Sequence, residues 1–274
     1  MHVKTKTLGR QTSKLFVELN QLNKTTFRLR DVEKITGLRG TSARTLMHKA
    51  VRRGLVTRLQ SGLYTLVPFE LGRETEYVGD PYVIARELVR QRKYFVSHAS
   101  AMELHRMVTQ PQLSIFVSCP DQLRPRTIHG YEYRFVLVRP KDFFGLTQIW
   151  VTKQQSVAVS DRERTIVDVL RHPQYAGGIT EAAKALWISR DKLDVSRLVE
   201  YARKLDVGAV IRRLGLLLEL YKMGSEENTK MLQSQLTQTF DRLDPTLPKA
   251  GRFWSRWRLQ LNVSLEELEA VRHT

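Results

Sequence analysis

The chain has a single cysteine, Cys119, among 274 residues. One thiol cannot close an internal disulfide, and Cys-based zinc fingers need several, so both are excluded. Long apolar runs are missing as well. The longest, Leu214–Leu218, is interrupted by Gly215 and falls far short of the roughly 20 residues that a membrane-spanning helix requires. The opening residues, MHVKTKTLGRQTSK, hold no apolar core, so no signal peptide is expected. There is no Gly-rich phosphate loop; Gly177-Gly178 reads as a turn. Neither an internal repeat nor a low-complexity tract is present. These absences lead us to expect a soluble, cytoplasmic protein without a cofactor or bound metal.

Acid is scarce in one particular place. No Asp or Glu occurs between residues 34 and 69. Residues 1–75 hold fifteen Lys/Arg against five Asp/Glu, a net of +10, out of +17 for the whole chain. Apolar residues make up 42%, enough for a packed core, so the charge does not imply disorder. Such concentrated basicity points to a polyanion, and nucleic acid and anionic membrane are the two candidates.

Periodicity divides the chain into two domains of α+β class. Leu15, Phe16, Leu19 and Leu22 form one helical stripe. Val32, Ile35 and Leu38 form a second, ended by Gly37 and Gly40. The third helix is TSARTLMHKAVRRG, residues 41–54, with Thr41 or Ser42 as its N-cap and Gly54 as its stop. Leu55-Val56 and Leu63–Val67 then read as two strands joined at Gln60-Ser61-Gly62. Three helices followed by a ribbon is the order of a winged helix-turn-helix, assigned to residues 1–70. Residues 71–79 read as a linker. Residues 80–274 read as a mixed α/β domain with a predominantly helical second half. It opens with Asp80-Pro81 as a helix start. Ser97–Leu104 is a short helix, and strands are expected at 113–118, 131–138, 148–152 and 156–159. Helices follow near 161–170, 180–188, 195–205, 207–222 and 228–240. Ser160 and Glu163, and Ser264 and Glu267, have capping-box spacing.

The third helix carries the functional signal. Its apolar residues Ala43, Leu46, Met47, Ala50 and Val51 cluster on one side. Opposite stand Thr41, Thr45, His48 and Arg52, flanked by Ser42, Arg44 and Lys49. Hydrogen-bonding and cationic side chains of this kind read base edges and hold phosphates. Arg58 and Ser61 lie on the expected wing, and Arg28, Arg30 and Lys34 are placed on the second helix to clamp the backbone. The bland alternative is a solvated basic face. It leaves the acid-free window and the hairpin unexplained.

The larger domain offers weaker chemistry. Asp161, Glu163 and Asp168 resemble the carboxylate clusters of metal-dependent nucleases. Helix capping accounts for the first two more simply, and Asp168 points to another face. His98 and His105 are two helical turns apart with no third ligand at metal spacing. Cys119 reads as a buried thiol.

Several segments, in order, resemble the AbiEi family of antitoxins and transcriptional repressors from bacterial abortive-infection toxin–antitoxin operons. They are Gly62-Leu63-Tyr64, Ser97–His105, Glu163–Asp168, Gly177-Gly178-Ile179, Arg213–Glu219, Leu243-Asp244-Pro245 and Trp257–Val263. The resemblance implies a winged domain that binds inverted repeats in double-stranded DNA upstream of its own operon. It implies a C-terminal domain needed for antitoxicity, and a nucleotidyltransferase toxin as functional partner, with no enzymatic activity of its own. Arg164, Arg213 and Arg258 are the family-like positions hardest to assign to a core, and they are candidates for binding phosphate or pairing internally. Direct protein contact with the toxin is an alternative mode of antitoxicity.

Overall fold

The computed structural model describes residues 8–90, 92–108 and 113–273. The fold is mixed α+β and divides into two compact units. The first comprises Met1–Arg92, Pro125–Tyr133 and Trp150–Val157, and the second comprises Lys93–Arg124, Arg134–Ile149 and Ala158–Thr274. No helix among the described residues is long and apolar enough to cross a membrane.

The first unit begins with α1 (Arg10–Gln21), β1 (Thr26–Arg28), α2 (Leu29–Thr36) and α3 (Gly40–Arg52). The chain then turns back through β2 (Val56–Gln60) and β3 (Leu63–Leu66), and α4 (Pro81–Val89) follows. The three strands pair antiparallel in the order β1-β3-β2. Leu15, Phe16 and Leu19 of α1 and Val32 of α2 close over Ala43, Met47 and Ala50 of α3, with Phe27, Val56 and Tyr64 beneath. Three expectations change here. Leu22 lies beyond α1 and is 63% exposed. Helix α2 ends at Thr36, where Gly37 takes the left-handed conformation, so Leu38 falls in the turn. Strand β1 carries no signal in the local sequence, because three residues paired to a strand 39 positions away leave no local period.

The expected boundary at 71–79 also moves. Residues 71–79 contain no regular helix or strand beyond the 3-10 turn Phe69–Leu71. Yet Tyr77 donates its backbone N–H to Thr57 Oγ1 at 2.8 Å, and the Gly54 backbone packs on Thr75. Helix α4, capped by Asp80 as its Asp-Pro start predicts, groups with the first unit. So does the segment around Gln155. That side chain donates to Thr25 Oγ1 at 2.6 Å and accepts from Arg86 at 2.6 Å.

Next come β4 (Phe95–Val96), α5 (His98–Leu104), β5 (Ser114–Cys119), β6 (Arg126–Ile128), β7 (Tyr131–Leu137), β8 (Leu146–Trp150) and β9 (Ser156–Ser160). The sheet they form has the order β6-β7-β5-β4-β9-β8. Strand β4 pairs antiparallel with β5 and parallel with β9. The second unit continues with α6 (Arg162–Arg171), α7 (Ile179–Ser189), α8 (Val195–Leu205), α9 (Gly208–Leu220) and α10 (Glu226–Gln233). It closes with β10 (Asp241–Arg242), β11 (Arg252–Trp254), β12 (Leu259–Leu261) and α11 (Leu265–Ala270). The last three strands make a small sheet of order β10-β12-β11. The helix expected to reach residue 240 stops at Gln233, because the chain must return as β10 to pair with β12.

Helix α6 is the centre of the second core. Its Ile166, Val167, Val169 and Leu170 are fully buried with Leu186, Leu198, Leu214 and Leu217. Its cap is Asp161, which accepts from the backbone N–H of Arg164 at 2.8 Å, and not the expected Ser160. Helix α9 meets Trp257 through Gly215, where an added Cβ would lie 2.0 Å from the indole. Gly215→Ala therefore overpacks a site with no slack. Its expected cost is about 1–3 kcal/mol, read as a lower midpoint in urea at an unchanged m-value.

Candidate nucleic-acid interface

Helix α3 is set at its start by a tight turn from α2. Gly37 donates to the backbone carbonyl of Glu33, and Gly40 donates to the Glu33 carboxylate at 3.1 Å. The last acid before the acid-free window is thus used in building the turn. Asp31 is engaged too: Lys24 lies 3.0 Å away, and the Arg28 backbone N–H donates to it at 2.7 Å. The helix spans Gly40–Arg52, so Thr41 and Ser42 sit in its first turn rather than at its cap. The N-cap is Arg39, which makes no side-chain cap bond.

With Ala43, Met47 and Ala50 buried and Leu46 and Val51 half-buried against the same core, the polar positions face water. Thr41, Ser42, Arg44, Thr45, His48, Lys49 and Arg52 are all exposed. Arg58 on β2 and Ser61 in the turn after it are exposed as well. Between α3 and the β2–β3 hairpin lies a cleft of about 360 Å³, lined among others by Arg44, His48, Arg58 and Ser61. A second hollow of about 310 Å³ runs along Thr41, Ser42, Thr45 and Lys49 on the other flank of the helix. No ion pair among the described residues engages Arg30, Arg44, Lys49, Arg52 or Arg58. Their charge is therefore not cancelled locally, and a surface of this kind presents donors to phosphate oxygens and base edges.

Arg28 does not join them. It ends β1 and caps α2 instead of lying on that helix. Its guanidinium turns inward to the backbone carbonyl and carboxylate of Glu87, and burial lowers its pKa below the usual arginine value. Arg30 and Lys34 stay exposed on α2. Two further cations carry no mark in the local sequence pattern. Arg39 is exposed just ahead of α3. Arg126 is exposed on β6 and donates to Gln60 Oε1 at 3.1 Å. The only hint of Arg126 in sequence is its place in the basic stretch Arg124-Pro125-Arg126.

The second unit treats its three arginine candidates differently. Arg164 is fully buried, with Nε 2.9 Å from Asp168 Oδ1 and Nη1 donating to the Asp142 carbonyl at 2.8 Å. Arg213 is buried and donates to three carbonyls, of Leu243, Leu170 and Arg242. Burial pushes its guanidinium down to about 10. Arg258 lies over the Phe240 ring at 5.4 Å. Arg164 and Arg213 pair inside the fold, and Arg258 is half-buried against a ring. The carboxylates behave alike: Asp161 caps α6, Glu163 accepts from the Asp194 N–H and from Arg197, and Asp168 holds Arg164. No group of three or more His, Cys, Asp or Glu among the described residues is arranged to hold a metal ion. Cys119 is buried.

His105 Nε2 donates to the Ser160 carbonyl across 2.6 Å; a carbonyl oxygen only accepts, so this nitrogen carries the proton. His98 is buried against Phe116, His172 and Tyr175. Burial, reinforced by the charges of Arg164 and Arg171, pushes its imidazole down to about 3. Burial, then His98 and Arg171, pushes His172 down to about 4. Both folded values lie below the ordinary 6.5, so the unfolded chain takes up protons that the folded chain refuses. The stability is complete above pH 6.5 and is lost as pH falls toward 4, at about 1.4 kcal/mol per pH unit for each group. His98→Asn suits the left-handed backbone at this position (φ 53°). It is expected to remove one group's share of that slope in urea titrations between pH 7 and 4.

No family model matches the chain, and no curated protein does either. Among solved structures it is similar to the RV2827C protein from Mycobacterium tuberculosis. The TM-score is 0.70 at 15% identity, over 99% of this chain and 97% of that chain. At that identity the likeness speaks for the fold alone.

Proposed function

We propose that this protein binds double-stranded DNA and acts as a transcriptional repressor, with its first unit working as a winged helix-turn-helix. Helix α3 would enter the major groove, and the β2–β3 hairpin would serve as the wing beside it. One observation carries the reading: a row of Thr41, Arg44, Thr45, His48, Lys49 and Arg52 on one helix face, exposed and unpaired among the described residues, next to a cleft closed by Arg58 and Ser61. Hydroxyls and an imidazole amid cations suit base-edge contacts within a frame of phosphate contacts.

The resemblance to AbiEi antitoxins extends the proposal. On that basis the DNA is the protein's own promoter, at inverted repeats, and the protein counteracts a nucleotidyltransferase toxin without being an enzyme. The test is binding of the full chain to a duplex carrying the region upstream of its gene, against a scrambled duplex, at several salt concentrations. Preference for the upstream duplex supports the reading. Equal affinity for both, or cleavage of the duplex in magnesium, overturns it. Co-expression with the product of the neighbouring gene tests antitoxicity by growth, and a stable one-to-one complex on purification would favour direct contact as its mode.

A further inference from the structure

The paired residues of β6 and β7, Arg126–Ile128 with Tyr131–Tyr133, form a second hairpin in the first unit. Register pairs Ile128 with Tyr131, which leaves a two-residue loop of His129 and Gly130. Both loop residues have positive φ, 45° and 85°, as a type I′ turn requires. The ribbon is anchored by Ile128 and Tyr133, both buried, while Arg126 and Thr127 face water. From this ribbon Arg126 Nη1 donates to Gln60 Oε1 at 3.1 Å. Gln60 is the last residue of β2, directly before the wing turn at Ser61. A bulge lies between Arg58 and Gln60, and a bulge bends a strand and re-aims its side chains.

Among the described residues the partner of Arg126 is a neutral amide, so its charge is held in place and not neutralised by them. One N–H of five goes to Gln60, and a guanidinium keeps its fork available for a second acceptor. Arg58 stands two residues from Gln60 on the same strand and is also exposed and unpaired among the described residues. Two cations thus flank one wing tip, one of them supplied by chain 66 positions further on.

We infer that the β6–β7 hairpin is a second wing, and that Arg126 contacts a DNA phosphate beside the one held by Arg58. This rests on the DNA-binding reading of α3 and the first wing. The contact is sequence-independent, so its signature is in the salt dependence of affinity for any duplex.

The experiment measures binding of the full chain to a 30-base-pair duplex of random sequence, over a range of salt, for the wild type and for Arg126→Lys, Arg126→Gln and Arg126→Ala. Thermal melts confirm that these exposed-site variants fold. The expected result is a log–log salt slope shallower by about 0.9 in both the Gln and Ala variants, and retained in the Lys variant. An unchanged slope in Arg126→Ala, while Arg52→Ala flattens it, overturns the second wing and leaves the α3 reading standing. Retention of the slope in Arg126→Gln would reduce the residue to a prop for Gln60, which also overturns the inference. A wild type that shows no salt-dependent duplex binding removes both.

Discussion

Arg44→Ala combined with Arg52→Ala is expected to abolish selective DNA binding by this chain at physiological salt. The two residues stand two helical turns apart on the exposed face of α3, and their loss acts in two ways. Each phosphate contact removed flattens the log–log salt slope by about 0.9, so a pair of them changes it by nearly two. If Arg44, which lines the cleft with His48 and Arg58, reads a base, its loss costs a further 1–3 kcal/mol or about that at one position of the site. Arg52, near the end of the helix, is the better candidate for a phosphate. Singly, then, Arg52→Ala is expected to weaken upstream and scrambled duplexes alike, and Arg44→Ala or Thr45→Ala to narrow the gap between them. Binding isotherms on both duplexes at two salt concentrations separate these effects. If the double variant binds the upstream duplex as the wild type does, α3 is not the reading element.

The second large effect is expected in the core of the second unit. Arg164 is fully buried, and it holds Asp168, the carbonyl of Asp142 and the face of Phe144 at 4.3 Å. Arg164→Ala leaves Asp168, itself 4% exposed, as a buried carboxylate without its cation. Breaking such a pair from one side costs about 3–5 kcal/mol, against a total stability of about 5–15 kcal/mol for a typical domain. Replacing both partners, as Arg164→Met with Asp168→Leu, removes the orphaned charge and should recover much of the loss. Denaturant titration at neutral pH checks both. Equal destabilisation of the single and double variants would show that the arginine's packing and carbonyl bonds matter more than the charge pair.

These two sites differ in how far they could be read in advance. The face of α3 was legible because its evidence is local. Apolar residues at helical spacing fix which side is buried, and the other side follows. The absence of acid nearby needed only counting. Arg28 shows where such reasoning fails, for its partner Glu87 lies 59 positions away. The arginines of the second unit fail for the same reason. Arg164 and Arg213 look like surface cations in helical sequence, but they satisfy carbonyls brought in by other elements, Asp142 for the first and Leu170, Arg242 and Leu243 for the second.

The segments that carry the family resemblance are similarly explained by their partners. Asp244 accepts from the Ile179 N–H, Asn262 bonds the backbone of Asp244, and Arg213 bonds Leu243. Gly215 gives room to Trp257, whose indole N–H donates to Glu219. Positions 179, 213–219, 243–244 and 257–262 are thus one interlocked set, a role no single segment discloses.

The sequence by itself determined the α+β class, the basic amphipathic third helix and the hairpin after it. These depend on side-chain period, turn chemistry and charge, all of which act over a few residues. Only the tertiary structure decided which cations stay in water. That choice depends on whether distant chain delivers an acceptor, as Glu87 does for Arg28 and the Asp142 carbonyl for Arg164. The same long-range pairing set β1 against β3, assigned α4 to the first unit and brought Arg126 to Gln60.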